Sequence, residues 1–539
     1  MVPISQHSVP ARNSIGEDAV EPLILADEAF SALERDCRAA EETIHLCYRI
    51  IDPEFPLLSE ETDGAETSRW VDLLADRVRD GVHVRILMAD FDEIVATGMH
   101  REARHRFEVF RKARETLSPE EQCRFEVICA QHPARIGAVA ALAGWPTARR
   151  HLLEEIDRLN ETIREDGPDK AREHLELTPE IARYVRFDEA HGRYENRFFP
   201  PHRVRPATHH EKLAVLDARV CFVGGIDVCD MTYDDAGHQN DPAWHDIGYR
   251  ILGPAARSAE AYFRRRWTHA GGEEIGTLEE AKTGTASPVS LVATRSVDRR
   301  GPFAATPKPD VTDIRDRVFA LASRARDFIY IENQFLRDVD LAHQIAQRAR
   351  VVEGLQVVVV LPVVPIRSVE DGRIDEAAEH GLALQYEAID ILREAFADRL
   401  GVFTLARPEH AAGEGLDVVA GSKMVYVHSK LLIVDDRCAV AGSANFNGRS
   451  FYCDSELAFE WHSGDDIRAL RLRLWRQVLG DPDGIETWPP GEFLQHWRGA
   501  AERNAARPPG DRAGFVVPYP GPEDRPAGRK HWLVPDMLV

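Results

Sequence analysis

At 539 residues, 44% hydrophobic and 29% charged, the chain has the size and composition of a globular protein with two large lobes or three ordinary domains. Its formal charge of −23 sets a repulsive field against polyanions such as duplex DNA and argues against a dedicated nucleic-acid binder. The longest mildly apolar run, Ile136 to Trp145, falls far short of the roughly 18 to 20 residues that span a bilayer, so any membrane contact is expected to be peripheral.

In chain order, residues 1–20 carry no basic segment followed by an apolar core, so they read as a disordered leader rather than a secretory signal. A cytoplasmic location is expected; export by a route that needs no signal peptide stays open. From Asp27, expected as an N-cap, a helical pattern (Phe30, Leu33, Cys37) leads to a strand over Thr43 to Ile51. A helix over Trp70 to Val78 and a strand over Val82 to Leu87 follow, and this alternation predicts an α/β fold. Residues 97–195 are rich in Arg, Glu, Ala and Leu and poor in β-branched residues, which predicts a helical insertion in a first lobe spanning 21–285. The same grammar returns over 286–480: a strand at Ser290 to Val292, a helix over Val311 to Ala325, and strands at Phe328 to Asn333 and Leu355 to Leu361. Residues 481–539, rich in Pro, Gly, Trp and Arg, predict a wrapping tail with few regular elements. The eight cysteines include no C-x2-C pair and several lie in apolar runs, so buried free thiols are expected.

The chemistry lies in an internal repeat. His210, Lys212 and Asp217 in HEKLAVLD recur as His428, Lys430 and Asp435 in HSKLLIVD, at a constant offset of 218 residues. The match continues without a gap: Arg219 pairs with Arg437, Gly224-Gly225 with Gly442-Ser443, and Asp227 with Asn445. On an extended chain, His and Lys two apart point to one side, so both pairs can face one cleft, while Leu213, Val215, Leu431 and Ile433 suit a buried strand. No His/Cys/Asp cluster with metal-ligand spacing stands out, so neither a metal nor another cofactor is implied.

The doubled H-x-K-x4-D, followed after six residues by Gly-Gly or Gly-Ser, resembles the phospholipase D superfamily, and both copies meet that signature in full. The likeness extends to Trp244-His245-Asp246, to Ile331-Glu332-Asn333-Gln334-Phe335, and to Asn445 with Ser450. These pieces look more like the phospholipid-cleaving members than the small endonucleases, which carry one motif and dimerise; a monomer is therefore expected. The resemblance implies two similar α/β lobes with mixed sheets flanked by helices and related by a pseudo-two-fold. It covers about residues 25–480 and leaves out the insertion and much of the tail.

A phosphodiester repels nucleophiles, so its site needs cations on the non-bridging oxygens, and Lys212 and Lys430 would supply them. One imidazole must attack phosphorus while neutral, and the other must protonate the leaving alcohol. The symmetry of the motifs does not choose between them; the resemblance implies His210 as nucleophile, forming a phosphohistidine, and His428 as general acid. It also implies Asp246 and Glu456 as carboxylate partners of the rings, with Asn445 adding a hydrogen bond and Gly225 and Ser443 shaping the turn. Asp217 and Asp435, though part of the motif, follow their strands and are expected to hold local backbone. Glu332, Asn333 and Gln334 are expected at the cleft edge, Trp244 in the core or cleft wall, and His209 and His245 as structural neighbours. The implied reaction is phospholipid hydrolysis at a membrane surface, with water or an alcohol as acceptor. Rival readings are a phosphatidyltransferase like cardiolipin or phosphatidylserine synthase, a nuclease, and a non-catalytic lipid-binding protein.

Overall fold

The computed structural model describes residues 18–58, 68–276, 287–411, 413–532 and 534–539. The fold is mixed α/β, built on two large sheets whose strands come in the same spatial order. The first runs Ala19–Ile24, Ile247–Leu252, Val220–Gly224, Lys212–Leu216, Thr43–Tyr48, His83–Asp90, Phe125–Gln131. In the second the matching series is Val289–Val297, Glu456–Trp461, Cys438–Gly442, Lys430–Val434, Phe328–Asn333, Gln356–Val360, Leu400–Ala411. Even the register repeats: Ile44 lies opposite Leu216 and Ile329 opposite Val434, each pair antiparallel at the end of a motif strand.

Alternation along the motif strands divides their side chains between two cores. Leu213, Val215, Leu431 and Ile433 join one apolar core shared by both sheets. Ala214 and Leu216 pack into a core of the first half, and Leu432 and Val434 into one of the second, beneath helices such as Ala26–Ala39 and Glu376–Phe396. The halves also exchange backbone: Ala243–His245 pairs parallel with Ser422–Val427 of the second sheet, and His209 bridges to Ser455.

Several expectations are corrected. The proposed leader ended at residue 20, but Ala19–Ile24 is already a strand; residues 1–17 lie outside the described residues. Leu25, not Asp27, occupies the helix cap, and Asp27 sits in the first turn. The insertion was drawn too wide, because Phe125–Gln131 is the outer strand of the first sheet, parallel to His83–Asp90. Most of that strand is only partly buried, so its composition lacks the apolar run that marks an inner strand. Beyond it stand the helices Ala138–Asp166 and Pro168–Glu176 and a hairpin, Val185–Asp188 with Arg193–Asn196, with a small core around Leu152 and Ile181. The tail is more regular than expected: helix Phe493–Ala505 buries Trp497 in the shared core, and Val516–Pro518 pairs with Leu400–Ala411. Among the described residues no helix is long and apolar enough to cross a membrane. All eight cysteines are free thiols, five of them buried.

Candidate active site

His210 and His428 lie just ahead of their strands, each fixed by the opposite half. The His210 N–H donates to the Ser455 carbonyl (2.9 Å) and the His428 N–H to the His245 carbonyl (2.7 Å). The next residue in each case is the carboxylate that meets the ring: His210 Nδ1 is 3.0 Å from Glu456 Oε2, and His428 Nδ1 is 2.5 Å from Asp246 Oδ2. This crossed pairing leaves Nε2 of both rings as the nitrogen available for chemistry. It also means that neither half can orient its own histidine.

The two carboxylates are not alike. Burial would raise the Asp246 carboxyl, but His428, Lys430 and the Ile247 N–H hold it below the ordinary aspartate value. Glu456 is pushed well above its ordinary value by burial and by neighbouring Asp454, although Ser443 Oγ (2.5 Å) and Ser450 Oγ (2.6 Å) donate to it. Gly225 is needed on the Asp246 side, since a Cβ there would overlap Asp246 Oδ1. Ser443 fills the equivalent place with a hydroxyl.

Burial, then the charges of Lys212, Arg49, Lys430 and His428, hold His210 well below the ordinary imidazole pKa. Burial and Lys430 lower His428 to about 4 against the opposing pull of Asp246. Each histidine therefore feels both lysines, as one site requires. Lys212 is compensated by Asp227, 3.4 Å away. Asn445 stands in the repeat where Asp227 does, and the Lys430 ammonium meets the His428 carbonyl and Gln334 Oε1 (3.5 Å); burial lowers its pKa to about 7. Asn445 Oδ1 is buried without a hydrogen-bond partner among the described residues.

Asp217 and Asp435 sit at the other end of the strands. Asp217 accepts from the backbone N–H groups of Glu41, Glu42 and Thr43 (2.8–2.9 Å), and Asp435 from those of Arg326, Asp327 and Phe328 (2.8–2.9 Å). The third motif residue thus ties its strand to the start of the neighbouring one and holds local backbone, as its place after the strand led one to expect, rather than acting in the chemistry.

Glu332 and Asn333 are corrected as well: both are fully buried rather than at the cleft edge. Glu332 accepts from His245 Nε2 (2.8 Å), Tyr330 OH (2.6 Å) and Ser429 Oγ, joining residues of both halves. Asn333 Oδ1 accepts from the Phe335 and Phe446 N–H groups. The alternation that sends His428 and Lys430 into the cleft turns Ser429, and with it Glu332, toward the core. Gln334 alone of the three meets a cleft-facing motif residue, Lys430. Trp244 is buried with its ring 4.8 Å from that of His428, and His209 meets Ser455 and Arg266.

Two features escaped the sequence reading. Glu211, the middle residue of the first motif, is buried and accepts from Arg266 (2.6 Å) and Tyr262 (2.8 Å); nothing near the motif signals this, because the partners come from a later helix. Arg49 adds a third cation beside His210 and is 3.9 Å from Asp227. The matched register, which sets Arg49 where the second half has Gln334, was the available signal. Among the described residues one group could hold a metal, Asp188, His191 and Glu195; it lies on the exposed hairpin of the insertion, and Glu195 is already paired with Arg186 and Arg193.

Residues 319–476 match the family model described as cardiolipin synthase, PLD-like domain. Phospholipase D alpha 2 of Arabidopsis thaliana is 27% identical over 398 residues, covering 51% of this chain and 49% of the relative. Phospholipase D alpha 1 of the same plant is 26% identical over 409 residues, covering 52% and 50%. The chain thus spans about half the length of the curated relatives it matches. The crystal structure of phosphatidylserine synthase from Haemophilus influenzae Rd KW20 is 12% identical and aligns with a TM-score of 0.49 over 90% of this chain and 94% of that one. The family match and the sequence relatives, together with two complete H-x-K-x4-D motifs whose histidines are held by each other's half, make this chain similar to the phospholipase D superfamily.

Proposed function

We propose that the chain is a phospholipase D-type phosphodiesterase that hydrolyses phospholipids to phosphatidic acid and free head group. The observation that carries this reading is the crossed pairing: two imidazoles with Nδ1 on a carboxylate and Nε2 free, beside two buried lysines. In the first step His210 Nε2 attacks phosphorus, the bond to the head-group oxygen breaks, and His428 delivers its Nε2 proton to that oxygen. In the second, water gives a proton to His428 and attacks phosphorus, and the phosphorus–nitrogen bond to His210 breaks. Lys212, Lys430 and Arg49 hold the non-bridging oxygens. His210 is assigned as nucleophile because more cations surround it, keeping it neutral; burial lowers His428 as well, but ionised Asp246 opposes that shift and makes it the ring with the better-supported proton. The protein acts as a monomer, in peripheral contact with the lipid surface.

The test offers purified protein phosphatidylcholine, phosphatidylethanolamine and plasmid DNA in parallel, with chelator present. Head-group release from lipid and intact plasmid are expected. Adding a small primary alcohol should divert the product to the phosphatidyl alcohol, because the intermediate accepts any hydroxyl that reaches it. Cleavage of plasmid alone, or head-group release with no alcohol adduct at any concentration, would reject the substrate or the two-step mechanism respectively.

A further inference from the structure

Arg337 follows the Glu332–Phe335 segment and is 7% exposed. Its guanidinium lies over the Phe335 ring, with Cζ 3.6 Å from the ring centre. It also packs on Gly381 in the interior of helix Glu376–Phe396, where a Cβ would overlap Cζ and Nη1. Glycine inside a helix weakens it, so the space it leaves here serves the guanidinium. Among the other buried arginines, Arg266 faces Glu211 and Arg471 faces Asp436, while Arg407 and Arg512 donate to the backbone carbonyls of Gln239 and Asn504. Arg337 has no carboxylate within salt-bridge distance among the described residues, and its Nε is buried without a hydrogen-bond partner. Burial lowers its pKa to about 10, and the titratable groups around it are the phenols of Tyr426 and Tyr519 and the like-charged Arg449.

A buried cation is ordinarily paired, because losing its hydration is otherwise uncompensated. Stacking on an aromatic ring leaves the edge of the planar fork for an oxyanion, which arginine binds in bidentate fashion. The position adjoins the candidate active site. Gln334, three residues before Arg337, donates its Nε2 to Tyr426 OH (2.8 Å), and its Oε1 meets Lys430. We propose that Arg337 is an oxyanion-binding residue beside the cleft, taking a phosphate or carboxylate group at a position separate from the phosphodiester held by Lys212 and Lys430. Its link to the substrate rests on the phosphodiesterase reading above. Two sources share this chemistry: the carboxylate of a serine-type head group, and free phosphate.

Calorimetric titration with inorganic phosphate tests the site without relying on activity. The intact chain should bind two phosphates, Arg337→Met one, and Lys430→Met one; a single site in the intact chain, or two in Arg337→Met, overturns the proposal. If Arg337→Met does not fold by circular dichroism, Arg337→Lys should weaken the second site tenfold or more, and unchanged binding would overturn it. Turnover of phosphatidylserine and phosphatidylethanolamine vesicles then separates the sources. A tenfold loss of kcat/KM in the variant for phosphatidylserine alone assigns the head-group carboxylate; equal turnover of both lipids assigns free phosphate. Two phosphate sites with no lipid cleaved would sink the phosphodiesterase reading and leave this one standing.

Discussion

The two copies of the motif share strand order and register yet surround their histidines differently. His210 has Lys212 compensated by Asp227, Arg49 as an added cation, and a carboxyl partner, Glu456, that burial drives toward its neutral form. His428 has Lys430 beside Gln334, Asn445 in place of the aspartate, and an ionised partner in Asp246. A reaction that needs one neutral and one protonated imidazole needs its two rings to differ in protonation, and here the groups around them differ as well. Some of the positions that differ around the two histidines set charge, while the anchors at Asp217 and Asp435 are alike.

The comparison breaks most directly at the histidines. His210→Ala should lower head-group release by on the order of 10⁵ or more and abolish any covalent intermediate. His428→Ala should cost roughly 10² to 10⁴ with natural lipid and keep trace activity on an activated ester, whose leaving group needs no proton. Acid-quench trapping of the phosphoryl group checks both, and finding it on His428 would reverse the assignment.

The carboxylates give the next largest contrast. Asp246→Asn removes an ionised partner and should cost roughly 10²- to 10⁴-fold in kcat. Glu456→Gln replaces a carboxyl already pushed toward neutrality and should cost less than about tenfold. Equal losses in steady-state kinetics would show that the asymmetry read from their surroundings is not used.

The lysines separate the halves by pH. Lys430 carries its charge below about 7 and loses it above, so kcat/KM should fall as pH rises through about 7. Asn445→Asp restores the carboxylate that stands beside Lys212 in the other half, favours the charged ammonium, and should move that limb to higher pH. A limb that stays in place would exclude Lys430 as its origin.

The smallest effects are expected at the anchors, where the halves should behave alike. Asp217→Ala and Asp435→Ala each strip an acceptor from three backbone N–H groups. Each should cost about 1–3 kcal/mol in urea unfolding while leaving kcat within about threefold. A large kinetic loss without a stability loss would return them to the chemistry.

Much of this was legible in the sequence because a strand has period two. The spacing of His210 and Lys212, the apolar Leu213 and Val215, and the constant offset to His428 and Lys430 are local facts, and they predict two like strands with both cations on one side. The α/β alternation was readable for the same reason wherever strands are buried, and it failed at Phe125–Gln131, where the sheet ends and burial is partial. What the sequence could not carry is which groups meet across the halves. Glu456 on His210, Asp246 on His428, and Glu332 between His245 and Ser429 join residues 182, 246 or 97 positions apart, or 87 for His245. Burial then decides their protonation, since removing water penalises each charge until a specific partner is placed beside it. The sequence by itself determined the strands and the residue types that face the cleft. Only the packing of one half on the other decided which imidazole each carboxylate holds, and hence how the two copies of one motif come to differ.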